Sequence, residues 1–335
     1  MRTQIIELLN GKKIDVIPAF SGLTHVTAAG LEQEGLAFHE IHRDADRMAR
    51  AAAGTFRLTG FPSAALPLDM CVEAEALGAE VDFRESGLYE FPRVARPLFE
   101  TGVQCLQTLE RWKQSPKSGD FGLQGRIPLV CEAIAQLKRD IGSEAVIGGI
   151  IPGPFTLLLF LVEPGALFTE MKRTPRIIVD TLFHLSSFLS QVGHAYRHAG
   201  ADFLTIHDMG GSPGFLGPKR FEEFVLPAQQ LLIAALPKPR VLSVCGNTNG
   251  VMHLLAQSGA EAVSVDQTND LDASRAALPN TLLFGNLDPV ELLSRSTPEQ
   301  IREAAVRARA AGIDALWPGC DLYPPTPLEN LKAML

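Results

Sequence analysis

The chain has 335 residues, 46% of them hydrophobic, which is enough apolar material for one large core. Its formal net charge of −8 and the lack of any dense Lys/Arg run argue against a nucleic-acid or anionic-membrane surface. No uncharged apolar stretch is long enough to span a bilayer, and charges are spaced through the N-terminal segment, so a soluble, cytoplasmic protein acting on small molecules or other proteins is expected.

In chain order, short β-rich apolar runs alternate with helical patterns. DVIPAFS from Asp15 is the first run, followed by the helix DADRMARAAAGTFRLTG, which either Asp44 or Asp46 can cap. PSAALPLD ends at Asp69, AVIGGIIPGP begins at Ala145, and ADFLTIHD ends at Asp208. Gly217 and Pro218 then open the helix GPKRFEEFVLPAQQLLIAAL. RVLSVCG ends at Gly246, EAVSVD at Asp266, and TLLFGNLDP begins at Thr281. The helix SRSTPEQIREAAVRARAAG carries Thr297-Pro298 at its start and Gly312 at its end. DALWPGC ends at Cys320, and TPLENLKAML from Thr326 reads as a closing helix. Eight strands alternating with helices predict a single (βα)8 TIM barrel over residues 1–335. Residues 83–126, richer in charge, Gly and Pro, are too long for a simple connection and read as an insert over the barrel mouth.

In such a barrel the C-terminal strand ends carry the active site. Those positions hold Asp69, His207, Asp208, Ser243, Cys245, Asn247, Asp266, Asn286, Asp288 and Cys320. An Asp there can equally be a helix N-cap; Asp69, Asp266 and Asn247 are the candidate catalytic residues. The five cysteines are odd in number and scattered, a poor disulfide framework that fits a reducing compartment. Cys71, Cys105 and Cys131 fall in helical or insert context and read as packing residues. Cys245 and Cys320 differ, because each sits beside a glycine at the end of its own strand. Two thiolates brought to one polar mouth suit Zn²⁺, which takes sulfur and nitrogen ligands and keeps one position open in catalytic sites.

Six stretches, PLDMCVEAEALGAEVDF (67–83), IIPGPFTLL (150–158), LGPKRFEEFVLP (216–227), VCGNT (244–248), GNLDP (285–289) and PGCDLYPPTPLENLKAM (318–334), carry a resemblance to a known family. The chain resembles the uroporphyrinogen decarboxylase superfamily, in particular its branch of methylcobamide:coenzyme M methyltransferases and related corrinoid-dependent methyltransferases. The resemblance implies a single (βα)8 barrel of the uroporphyrinogen decarboxylase type. It also implies zinc-assisted transfer of a methyl group between a methylated corrinoid protein and a small acceptor or donor, in either direction. The implied zinc site is a His-x-Cys pair plus a distant Cys; Cys245 and Cys320 match the cysteines, but Ser243 stands at the histidine position. His207 or Asp266 is then expected to complete the metal shell. No Asp-x-His-x-x-Gly motif occurs, so cobalamin is expected from a partner corrinoid protein. Two alternatives remain: a metal-free decarboxylase, and a non-catalytic relative that has lost its histidine ligand. The decarboxylase branch carries an arginine-rich N-terminal motif, whereas residues 18–30 here contain no Arg to pair a polycarboxylated tetrapyrrole.

Overall fold

Residues 1–114 and 123–335 are described by a computed structural model. Nine strands are present among them: β1 (Ser63–Leu66), β2 (Val81–Asp82), β3 (Arg93–Val94), β4 (Val146–Pro152), β5 (Phe203–His207), β6 (Arg240–Val244), β7 (Ala262–Val265), β8 (Leu282–Leu287) and β9 (Ala315–Pro318). Seven of them form one curled parallel sheet in the order β1-β4-β5-β6-β7-β8-β9, while β2 and β3 pair as a separate antiparallel hairpin. Parallel strands covered by helices on one face and packed inside on the other read as unbroken apolar runs, and β4, VIGGIIP, is buried at all seven positions.

The run expected from Asp15 is not a regular strand. It contributes a single parallel bridge, Ala19 to Leu316. Pro18 has no N–H to extend a ladder, and the next residues leave the sheet: Ser21 N donates to the Ser63 hydroxyl at 2.9 Å. A Cβ on Gly22 would lie 2.4 Å from Thr205 Oγ1 and 2.7 Å from the Trp317 ring. Only a glycine lets this segment pass so close to the inward side chains of the strands. It occupies the eighth position of the TIM barrel, between β9 and β1.

The start of the barrel interior is packed shut. Val146, Phe203, Val241 and Ala262, at or near the first positions of their strands, join Phe20, Phe284 and Trp317 in one buried cluster. The helix Arg2–Leu9 adds Ile5, Leu8 and Leu9 to it. Phe20 meets Trp317 edge to face with ring centroids 5.2 Å apart, a favoured aromatic geometry. Chemistry is left to the opposite, C-terminal end.

Helix boundaries follow local chemistry. Asp44, not Asp46, caps the helix Ala45–Thr59 by accepting from Arg47 N at 2.9 Å. Thr297 and Gln300 form a reciprocal capping box before Pro298–Ala310. The helix opened by Pro218 carries a π turn over Phe221–Val225, in which Leu226 N bonds to Phe221 O. Pro227, the next residue, lacks an N–H and crowds the preceding turn, which widens it. Of the long connection after β1, the described part holds the β2–β3 hairpin and the helix Gly102–Gln114; residues 115–122 lie outside the described residues.

Candidate metal centre and adjoining cavity

Three strand ends bring three soft or borderline donors together. His207 closes β5, Cys245 follows β6 by one residue, and Cys320 follows β9 by two. Cys245 Sγ lies 2.9 Å from Cys320 Sγ and 3.5 Å from His207 Nε2. The donor atoms of all three residues fall within 4.8 Å of one another, and among the described residues this is the one such group of His, Cys or acidic side chains.

The backbone behind each donor is fixed. Gly246 follows Cys245 with φ +87°, a conformation that L side chains rarely adopt, and a Cβ there would also press on Ser212 Oγ at 2.7 Å. His207 is followed by Asp208, whose buried carboxylate accepts from Thr156 N at 3.0 Å, Thr156 Oγ1 at 2.7 Å and Gln229 Nε2 at 2.9 Å. Asp208 therefore ties the loop after β5 to the start of the helix Pro154–Leu161. His207 Nδ1 is buried with no partner, so the ring is oriented by packing and by its Nε2 side.

The electrostatics favour a thiolate. The hydrogen bond from Cys245, helped by His207, draws Cys320 down although burial opposes it. Sharing that proton, together with burial, pushes Cys245 up. Burial lowers His207, but its hydrogen bond with Cys320 and the nearby charges of Asp321, Cys320 and Asp208 outweigh this and the net direction is upward.

Ser243 lies directly across the register from His207 and from Ser264, in the tier beneath Cys245. It is buried at 1% exposure. The imidazole in this chain thus comes from β5, one strand over from the Ser243 position on β6.

Asp266 is not part of the cluster. Oδ2 accepts from Gly246 N, and Oδ1 accepts from Thr268 N at 2.9 Å, Thr268 Oγ1 at 2.5 Å and Asn269 Nδ2 at 3.1 Å. With its acceptor sites filled this way it pins the loop that carries Cys245. Asn247 is exposed, and its Oδ1 accepts from Asn249 N at 3.1 Å and Nδ2 at 3.0 Å, a local turn contact. Asp288 accepts from Val290 N and Glu291 N at 2.8 and 2.9 Å, the alternative expected of a strand-end Asp.

Asp69 lies in a different part of the mouth, on a cavity of about 260 Å³ that it lines together with Thr24, Phe91, Phe160, Met209 and Asp321. Its carboxylate is fully engaged: Arg126 Nη1 and Nη2 donate at 2.7 and 3.1 Å, Cys71 N at 2.9 Å, and His42 Nδ1 lies 3.0 Å away. Burial would raise Asp69, but Arg126 and His42 hold it well below the usual carboxylate range. Arg126 and His42 escape a sequence reading, since neither sits at a strand end nor at motif spacing from Asp69. Asp321, adjacent to Cys320, had the signal of position but not of pattern. Cys71 and Cys105 are buried and Cys131 partly so, and burial raises Cys105 to about 12 and Cys131 to about 11, as inert packing thiols.

Glu73, two residues beyond Cys71, is wholly buried; Tyr196 donates to its Oε1 at 3.1 Å and Oε2 has no partner. Burial pushes it up to about 8 from an ordinary 4.5. Between those values the folded chain holds a proton that the unfolded chain releases, so this group makes stability fall as pH rises. Glu73→Gln is expected to flatten that fall between about pH 5 and 8, read as urea midpoints across the range. An unchanged slope would assign the pH dependence elsewhere.

A parallel barrel with a thiol–imidazole cluster at its C-terminal face defines a TIM-barrel protein whose strand ends are arranged for chemistry. The chain belongs to the uroporphyrinogen decarboxylase (URO-D) family, whose model matches residues 1–335. It is 29% identical to a methylcobamide:CoM methyltransferase of Methanosarcina acetivorans, over 100% of this chain and 96% of that one. It is 25% identical to a methylated-thiol–coenzyme M methyltransferase of Methanosarcina mazei, over 96% and 84% of the two chains, and 23% identical to a uroporphyrinogen decarboxylase of Citrifermentans bemidjiense, over 92% and 88%. A solved methyltransferase from Methanosarcina mazei superposes with a TM-score of 0.91 at 26% identity, covering 99% of this chain and 96% of that one. No helix among the described residues is long and apolar enough to cross a membrane.

Proposed function

We propose that the chain is a corrinoid-dependent methyltransferase that moves a methyl group between a methylated corrinoid protein and a small acceptor or donor. The observation that carries this reading is the His207, Cys245 and Cys320 cluster at the strand ends, in a chain similar over its whole length to methylcobamide:CoM methyltransferases. Two sulfurs and one imidazole nitrogen are a donor set that zinc accepts, with three protein ligands and one position left for substrate. When bound, zinc would keep a substrate thiol in its thiolate form, the competent nucleophile, or polarise a methyl donor.

The chain's own residues do the remaining work. With zinc bound, Cys245 and Cys320 would hold it as thiolates and His207 as a neutral imidazole, while Asp266 and Asp208 hold their loops in place. Cobalamin comes with the partner corrinoid protein, which docks over the mouth. The hairpin residues Phe91 to Arg93 line the cavity beside Asp69, which supports reading residues 83–126 as an insert over the mouth of one continuous domain. Asp69, consumed by Arg126, acts as a positioning group.

The decarboxylase reading fits less well. The arginines it would need are absent from residues 18–30.

Relocation of the imidazole makes a direct test. His207→Ala is expected to weaken zinc binding more than the about 10–100-fold typical of changes outside the ligand shell. Adding Ser243→His in the same chain should recover most of the loss, because Ser243 is the register partner of residue 207. Stoichiometric zinc in His207→Ala, measured on the purified protein, would remove His207 from the shell.

A further inference from the structure

The cavity beside the cluster has a charge character of its own. Its walls are mostly apolar, with Leu68, Met70, Phe91, Phe160 and Met209 among them, and Asp321 stands in the wall immediately after Cys320. The Asp321 carboxylate accepts one hydrogen bond from protein, Thr24 N at 2.9 Å to Oδ1, and among the described residues it forms no ion pair with Lys or Arg. An ionised carboxylate has about four acceptor sites, so most of its capacity is left for what enters.

Of the cations nearby, Arg126 is committed. Arg126 is bound to Asp69 at 2.7 Å and to Glu75 at 2.6 Å, with its guanidinium 4.9 Å from the Phe83 ring. Arg93, the one Lys or Arg lining the cavity, turns its guanidinium to Asp82 at 3.4 Å and is 65% exposed. Asp69 is neutralised by Arg126. The balance facing a bound molecule is therefore one carboxylate without a Lys or Arg partner, beside the His207 cluster and among aromatic and thioether groups.

Resting on the methyltransferase reading, we infer that the small-molecule partner of this chain is a compact molecule with an apolar body and a positive charge, held by Asp321 and the Phe91 and Phe160 side chains. A cation meets the carboxylate and two aromatic side chains in one small space. An anion of the sulfonate type would meet the same carboxylate and would find, among the guanidinium groups, only the largely exposed Arg93 at the rim.

The test is isothermal titration of the purified full-length chain with three probes of matched shape: choline, its uncharged dimethylbutanol isostere, and dimethylbutanoate. Choline is expected to bind at least about tenfold more tightly than the alcohol, and dimethylbutanoate most weakly. In Asp321→Asn the preference should shrink below about twofold, whereas Met209→Trp, which fills the cavity, should weaken all three probes together. Choline bound no tighter than the alcohol, tightest binding of the anion, or a preference that survives Asp321→Asn would each overturn the inference. The same preparations are assayed for zinc and for methyl transfer from a methylated corrinoid. Failure there, with the charge order intact, would count against the methyltransferase reading and leave the cavity's selectivity standing.

Discussion

Cys320→Ser should abolish zinc retention and methyl transfer together while leaving the fold intact. The residue is only partly buried, two positions past the end of β9, and its neighbours in the strand, Trp317 above all, carry the packing. Serine keeps the volume but offers a hydroxyl that must lose a proton to compete as a ligand, whereas the Cys320 thiol is drawn down by its hydrogen bond from Cys245 and by His207. The loss in zinc affinity should exceed the about 100-fold upper range of changes outside the ligand shell, with turnover falling in proportion to metal content. Circular dichroism and urea midpoint should match the parent chain. Full turnover in both Cys320→Ser and Cys245→Ala would return the two thiols to the status of packing residues.

Arg126→Leu should cost about 3–5 kcal/mol of stability, the usual result of removing one partner from a buried ion pair. Asp69 is 3% exposed, and without Arg126 it keeps only Cys71 N and His42 as partners. Asp69 is depressed in the folded state, so its contribution is present above the ordinary carboxylate value and is lost as pH falls. The Arg126→Leu penalty should therefore shrink in acid. Asp69→Asn introduced beside Arg126→Leu should recover part of it, since the uncompensated charge is gone. A change below about 1 kcal/mol in urea unfolding would mean that water or a rearranged side chain reaches Asp69.

Most of the barrel was legible because parallel strands buried on both faces must be continuous apolar runs and because Gly, Pro, Thr and Asp mark helix ends by local chemistry. The run at Asp15 was misleading for a physical reason: apolar character says that a segment is buried, not that it is paired. Pro18 and the close passage at Gly22 decide the pairing, and only the three-dimensional packing against Thr205 and Trp317 reveals it. At the mouth, position along the strand was informative, and His207, Cys245 and Cys320 could be named from it. What strand-end position does not carry is how a side chain's acceptors are already used. Asp266 and Asn247 share the rim with the thiols yet spend their oxygens on Gly246, Thr268 and Asn249. Arg126 lies 57 residues from Asp69 in sequence, in a segment without periodicity, and such a pairing leaves no trace in local pattern.

A zinc centre built from β5, β6 and β9 is tested most directly by X-ray absorption at the zinc edge on the purified chain. One zinc per chain with two sulfurs at about 2.3 Å and one nitrogen at about 2.0–2.1 Å is the expected first shell. Loss of the nitrogen in His207→Ala and its return with Ser243→His should follow. A chain without stoichiometric metal, or a metal whose first shell contains no sulfur, would contradict it.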